Sequence, residues 1–359
     1  MEITAIPTAA GQEWRVVSWI EKWAKKQAGI VLKKDRFGNL LLTQKRRSSK
    51  KPIYITAHLD HPAFVVRKQI DEQHLEMEFR GGVNDAYFVG AKVEVFDNND
   101  NKYIGTIESL DSKAKPFKRV IVKLHKSVAG FLFEGDIARW CFKPPVVKDG
   151  LFHAPACDDL AGVAAAISAL DIIKSIRSMG HIGVLLTRAE EIGFVGAIAA
   201  AKNKTIPKTS RLLCLETSRS FPESPIGAGP ILRVGDKTSV FGPELTNAIA
   251  EIMNAQKNFQ WQRKLMPGGT CESTAFCNYG YLSTCLCLAL GNYHNMHDID
   301  GVLHKKKPAK VAPEFISVND FHGLIKMLSV VCRDLDKPRP ATLRRSLERR
   351  IQKYRKILS

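Results

Sequence analysis

Residues 53–64, IYITAHLDHPAF, run from largely apolar positions straight into His58, Leu59, Asp60 and His61. The first half has the β-branched and aromatic content of a buried strand. Strands buried on both faces belong to sheets flanked by helices, and in such sheets functional groups gather beyond the carboxyl ends of the strands. An apolar run that stops at ionisable residues therefore predicts an α/β sheet with a chemically active edge. Along an extended segment the two outer residues of His-x-Asp share one face. The imidazole can then bind a metal while Asp60 accepts the free ring N–H and fixes the tautomer.

The surrounding chain supports that reading. Upstream, Val16, Trp19, Ile20 and Trp23 recur at helical spacing and stop at Gly29, and IVLKKDRFGNLLLTQ reads as two strands around a Gly-Asn turn. After residue 155 the pattern alternates. DLAGVAAAISALDIIKSI, FVGAIAAAKN, PELTNAIAEIMNAQ and VNDFHGLIKMLSVV read as helices, while HIGVLLT, RLLCLE and LSTCLCLAL read as strands. Such alternation predicts a mainly parallel mixed sheet flanked by helices. Between about 64 and 150 the texture is different. HLEMEFR, AKVEVFD, YIGTIESL and RVIVKLH are short alternating strands separated by polar turns, the mark of a small all-β unit. The expected organisation is an α/β domain over 1–63 and 151–336, an inserted β-barrel over 64–150 and a basic amphipathic helix over 337–359.

The ionisable residues that follow apolar strands form a short set: His58 and Asp60, Asp158 and Asp159 in HAPACDDLAG, Glu190 and Glu191 after GVLLTRA, Glu216 after LLCL, and His294 after CLALGNY. Carboxylates and imidazoles gathered at one sheet edge repel one another unless cations sit among them. Nitrogen and oxygen donors without thiolate suit zinc, cobalt or manganese, and the number of donors fits two ions better than one. Taken singly, each signal has an ordinary reading. Asp158 and Asp159 could cap the alanine-rich helix that follows, and Glu190 and Glu191 could be a solvated helix start.

AHLDHPAF, ACDDLAG, RAEEIGFVGA, LCLETS, GGTCESTAF and NYHNMHD occur in the order and approximate spacing of the co-catalytic di-metal aminopeptidases. The chain resembles the glutamyl and tetrahedral (deblocking) aminopeptidase family from about residue 5 to 335. That resemblance implies a zinc-exopeptidase-like fold with a barrel or PDZ-like insertion, and removal of the N-terminal residue of peptides by means of two divalent metal ions, zinc first, with cobalt or manganese as substitutes. It further implies that His58 and Glu216 bind one ion, that Glu191 and His294 bind the other, and that Asp158 bridges them. Glu190 is the implied general base, and Asp60 the partner of His58. The family pattern puts an acidic residue four positions after the last ligand, which Asp298 supplies for His294 rather than for its competitor His297. Homo-oligomers, dimeric or larger, are implied as well.

Three departures stand out. Glu216 occupies a position where aminopeptidases of this kind commonly have aspartate, and glutamate there often accompanies carboxypeptidase or deacylase activity, the alternative enzymatic reading. Cys271 replaces the aspartate of the usual Gly-Gly-Thr-Asp stretch. His61 stands where relatives carry an acidic residue, and reads as a cleft or surface histidine.

Composition narrows the remaining classes. The 359 residues carry no apolar run of membrane-spanning length and begin without a secretory pattern, and the eight cysteines are scattered without a C-x-x-C pair, so a reducing, cytoplasmic setting is expected. The net charge is +18, of which residues 337–359, with nine Lys/Arg against Glu348, contribute +8. In this tail Leu343, Leu347, Ile351, Tyr354 and Leu358 form an apolar stripe after Pro340. Packing against the protein or another subunit is the first expectation for it. Contact with nucleic acid or an anionic lipid surface is the second, as part of a non-catalytic binding role.

Overall fold

The computed structural model describes residues 1–46, 48–127, 132–337 and 342–358. Helix α1 (Trp14–Lys25) turns Val16, Val17 and Ile20 inward and ends shortly before Gly29, whose φ of +83° lets the chain reverse into the next strand. Strands β1 (Ile30–Lys34) and β2 (Leu40–Gln44) form an antiparallel pair, and β3 (Ile53–His58) follows, buried along its whole length.

The chain then departs into β4 (Ala63–Gln69), β5 (His74–Arg80), β6 (Lys92–Phe96), β7 (Lys102–Asp111), β8 (Lys118–Leu124) and β9 (Ile137–Trp140). These close into a barrel in the order β4-β5-β8-β7-β6-β9. HLEMEFR alternates half-buried and buried residues as a barrel strand must, so Leu75, Met77 and Phe79 face inward. The barrel core holds Phe64, Phe79, Phe88 and Trp140, with ring centroids 4.8 Å apart for Phe64–Phe79 and Phe64–Trp140 in edge-to-face contacts. The barrel ends at Trp140, so its strands stop short of the expected limit of 150. Instead β10 (Val146–Lys148) pairs with β11 (Leu151–Ala154), which pairs with a strand near the C-terminus.

Past β11 come α2 (Leu160–Ile173), β12 (Ile182–Thr187), α3 (Val195–Lys202), β13 (Arg211–Arg219), β14 (Ile231–Gly235), α4 (Pro243–Asn254), β15 (Gln262–Leu265), α5 (Glu272–Asn278) and β16 (Leu282–Leu290). A small excursion follows, β17 (Met296–His297), α6 (Ile299–Leu303) and β18 (Lys310–Val311), and then β19 (Glu314–Ser317), α7 (Val318–Asp334) and α8 (Thr342–Tyr354).

The main sheet has eight strands in the order β1-β2-β12-β3-β13-β16-β14-β15, and its central four, β12-β3-β13-β16, are parallel. One face carries α2, α4 and α7 over a large aliphatic core, and α3 and α5 pack with the apolar residues of the other. Cover on both faces is why IYITAH and IGVLLT are apolar without alternation. Among the described residues no helix is long and apolar enough to cross a membrane.

Helix α8 does not lay its stripe on its own chain. Leu347, Ile351, Tyr354 and Leu358 are each half or more exposed, so the stripe is not buried against this chain. Pro340 and the side chain of Leu343 lie outside the described residues.

Candidate metal centre

The ladder between β3 and β13 ends at the pair Thr56 and Cys214, whereas β13 stays paired with β16 as far as Leu290. The carboxyl ends of β3 and β13 thus part, opening a crevice at the point where His58 closes β3 and Glu216 lies in β13. Glu190 and Glu191 follow the end of β12, and His294 follows β16. Asp158 arrives from the loop before α2. Four neighbouring parallel strands and one helix start therefore deliver their ionisable residues to one place.

The distances are short. His58 Nε2 lies 3.3 Å from Asp158 Oδ1, 3.8 Å from Glu216 Oε1 and 4.0 Å from Glu190 Oε2. His294 Nε2 lies 3.4 Å from Asp158 Oδ2 and 3.5 Å from Glu191 Oε1. Asp158 thus turns one oxygen to each imidazole. Donor atoms of His58, Glu190 and Glu216 all fall within 4.8 Å of one another, as do those of His58, Asp158 and Glu191.

These groups are buried, and their protonation reflects it. Burial, reinforced by neighbouring carboxylates, raises Glu190 and Glu216 well above the usual carboxylate range. Burial also lifts Glu191 to about 7, against the opposing pull of His294. For His294, burial acts downward but Glu191 and Asp158 outweigh it and lift the ring to about 9. Asp158 goes the other way: desolvation opposes its charge, yet the neighbouring imidazoles of His294 and His58 hold its carboxyl low. Buried Asp158 Oδ1 and Glu191 Oε1 accept no hydrogen bond. Four carboxylates, two imidazoles and orphaned oxygens facing a common space fit a pair of divalent cations. The solvated helix start considered for Glu190 and Glu191 is not what the chain forms.

The supporting residues correct several expectations. His58 Nδ1 lies 3.1 Å from the Asp60 carbonyl oxygen and 3.5 Å from its carboxylate. The backbone oxygen orients the ring, and the Asp60 carboxylate instead accepts the Glu190 and Glu191 amides, both at 3.0 Å. Asp60 thus aims the loop that carries the two glutamates. Asp159 immediately precedes α2 at its N-cap but makes no side-chain cap bond, and both its oxygens are unpartnered. His297 is exposed and contacts Asn292, away from the cluster. His61 is buried, its Nδ1 lying 2.6 Å from the Asp158 carbonyl and its Nε2 3.0 Å from Asn295 Oδ1, so it braces the centre instead of lining a surface. Cys271 is fully buried at the start of α5.

Asp298 does not support His294. Its side chain caps α6 at Gly301 and pairs with Lys307 at 2.6 Å. The carboxylate that holds the His294 loop is Glu314, twenty positions downstream: Oε1 accepts the His294 amide at 2.8 Å, while Oε2 accepts those of Cys157 and Asp158 at 2.7 and 3.0 Å. His294 needs the grip, because its φ of +52° is a left-handed conformation unfavourable to a residue with a Cβ. Its Nδ1 donates to the Gly82 carbonyl at 2.6 Å, a bond from the barrel that leaves Nε2 facing the cluster. Glu13, buried behind the site, accepts the Ala189 amide at 3.0 Å and pairs with Arg188. Neither Glu13 nor Glu314 follows an apolar strand, the signal that marks the other acids.

The sequence pattern of the M42 glutamyl aminopeptidase family matches residues 38–310. The chain belongs to that family. The fold is also that of solved TET aminopeptidases. A TET aminopeptidase from the marine sediment archaeon Thaumarchaeota archaeon SCGC AB-539-E09 superposes with a TM-score of 0.77 at 18% identity, over 93% of this chain and 95% of that one. The Pyrococcus horikoshii TET1 peptidase gives 0.72 at 20% identity, over 92% and 97%, and an aminopeptidase from the archaeon Desulfurococcus kamchatkensis 0.74 at 18%, over 93% of each. No curated protein matches the sequence.

Proposed function

We propose that this M42 protein is an aminopeptidase whose centre holds two divalent ions, zinc in the first instance with cobalt or manganese as substitutes. His58 and Glu216 would hold one ion, Glu191 and His294 the other, and Asp158 both. The observation that carries this reading is the orientation of Asp158, with one carboxylate oxygen toward each imidazole. Such ions, when bound, lower the pKa of a coordinated water from ~16 toward ~7 and polarise the peptide carbonyl.

The rest falls to the chain. Glu190 is buried at the cluster, with Oε2 4.0 Å from His58 Nε2. It takes the proton of the attacking water and returns it to the leaving nitrogen, as a general base and then acid. Asp60 keeps the Glu190 amide in place during that exchange. Family membership favours attack at the N-terminus over the carboxypeptidase or deacylase reading suggested by Glu216.

Because the Pyrococcus horikoshii TET1 peptidase assembles into a tetrahedron or an octahedral shell, we take this chain too as a homo-oligomer. The free cysteines agree with a cytoplasmic setting. The test is metal analysis combined with digestion of peptides bearing free or acylated N-termini. Two bound ions and stepwise release from free N-termini are expected. Cleavage of acylated peptides alone would move the activity to the deacylase class.

A further inference from the structure

The cavity that contains the carboxylate cluster has a volume of about 430 Å³ and a second, apolar lining: Phe221, Met266, Met296, Ile299 and Leu303. Met296, Ile299 and Leu303 come from the excursion between His294 and Glu314. That excursion is fastened from two directions. Tyr87 Oη donates to the His297 carbonyl at 2.8 Å, the Asn84 amide contacts Met296 Sδ at 3.4 Å, and Ile299 and Val302 pack on the barrel core. From the main sheet, Arg219 at the end of β13 pairs with Asp300 of α6. The wall is therefore formed before a ligand arrives.

Two arginines reach the same cavity, and both are engaged. Arg219 is held by Asp300. Arg233 is buried and donates to the Gly269 carbonyl at 2.9 Å, Ser218 Oγ at 3.0 Å and the Met266 and Gly235 carbonyls at 3.4 Å. An acidic ligand side chain would have to compete with Asp300 for Arg219 and shed its water against Phe221, Met266, Met296, Ile299 and Leu303. A thioether, branched aliphatic or aromatic side chain meets matching surface at no such cost.

Resting on the aminopeptidase reading, we propose that the excursion 296–313 forms the pocket for the side chain of the released residue, and that this pocket selects Met, Leu or Phe over Glu or Asp. The test uses the metal-loaded, full-length protein in two measurements. The first is kcat/KM on X-Ala-Ala peptides with X as Met, Leu, Phe, Glu or Asp; the second is calorimetric binding of the products L-methionine and L-glutamate. Met and Leu are expected to exceed Glu at least tenfold in both. Hydrolysis with Glu equal or ahead leaves the peptidase reading standing and overturns this pocket. Absent hydrolysis with L-methionine still bound more tightly than L-glutamate does the reverse. Leu303, 59% exposed at the rim, can be changed without disturbing a core. Leu303→Arg, which offers a cation to an acidic side chain, should shrink the Met-to-Glu ratio at least threefold, and an unchanged ratio overturns the assignment of α6 to the pocket.

Discussion

Glu190 and Glu314 stand in different relations to the cluster, and each yields a distinct expectation. Glu190→Gln preserves volume and removes the proton carrier, so kcat should fall about 10²- to 10⁴-fold while metal content and melting temperature stay at the wild-type values. Glu314→Gln acts differently, since an amide cannot accept at both ends from the Asp158 and His294 loops. Metal affinity should weaken about 10- to 100-fold, read by competition with a chelator, and Glu314→Ala should weaken it further. Protonation sets a third expectation. In the metal-free centre Glu191 titrates near 7 and His294 near 9, and both must lose their protons before they bind cations. Metal affinity should therefore climb as pH rises through that window and fall below it, and loading near neutrality should release about one to two protons. Calorimetry in buffers of different ionisation enthalpy counts them; a pH-independent affinity from 6 to 9 would contradict the assignment.

At the scale of elements, the turn between β5 and β6 is the sensitive one. Gly81 has φ of +139°, and a Cβ there would stand 2.6 Å from Pro62 Cβ, so no other residue fits without moving the turn. The next carbonyl, that of Gly82, orients His294. Gly81→Ala should thus lower metal affinity by about tenfold or more, although neither residue reaches an ion, and the loss is measurable by the same chelator competition. Sequence made the long or periodic elements plain. The strands β3 and β12 declared themselves through buried apolar runs, β5 through alternation, and α2 through a long run of alanine and aliphatics. Edge strand β15, with the sequence QRKL, and β14, which contains Arg233, carry no such pattern, because their polar residues serve rims and loops. Among the site residues, those placed just past strong strands were readable in advance. The partner of the His294 loop was not, because the excursion 296–313 separates Glu314 from His294 and leaves Asp298 in the position where local spacing looks for it. Contacts made across long stretches of chain, such as Glu13 with Ala189, leave no trace in local periodicity.

At the scale of the whole molecule, much of the net charge is concentrated in residues 337–359. The tail contributes +8 of the +18, and its stripe of Leu347, Ile351, Tyr354 and Leu358 faces outward. Removing residues 337–359 should leave peptide hydrolysis intact and make the protein leave a heparin column at distinctly lower salt, as expected when a clustered basic segment is lost. If turnover were lost instead, the helix would belong to the working assembly. The barrel is bound up with the centre in another way. Because the carbonyl of Gly82 steers the imidazole of His294, ion occupancy and the docking of two separately cored units are thermodynamically linked. Stripping the cations should let the barrel loosen from its neighbour, and amide hydrogen exchange around residues 81–88 should then quicken, although none of these residues holds an ion.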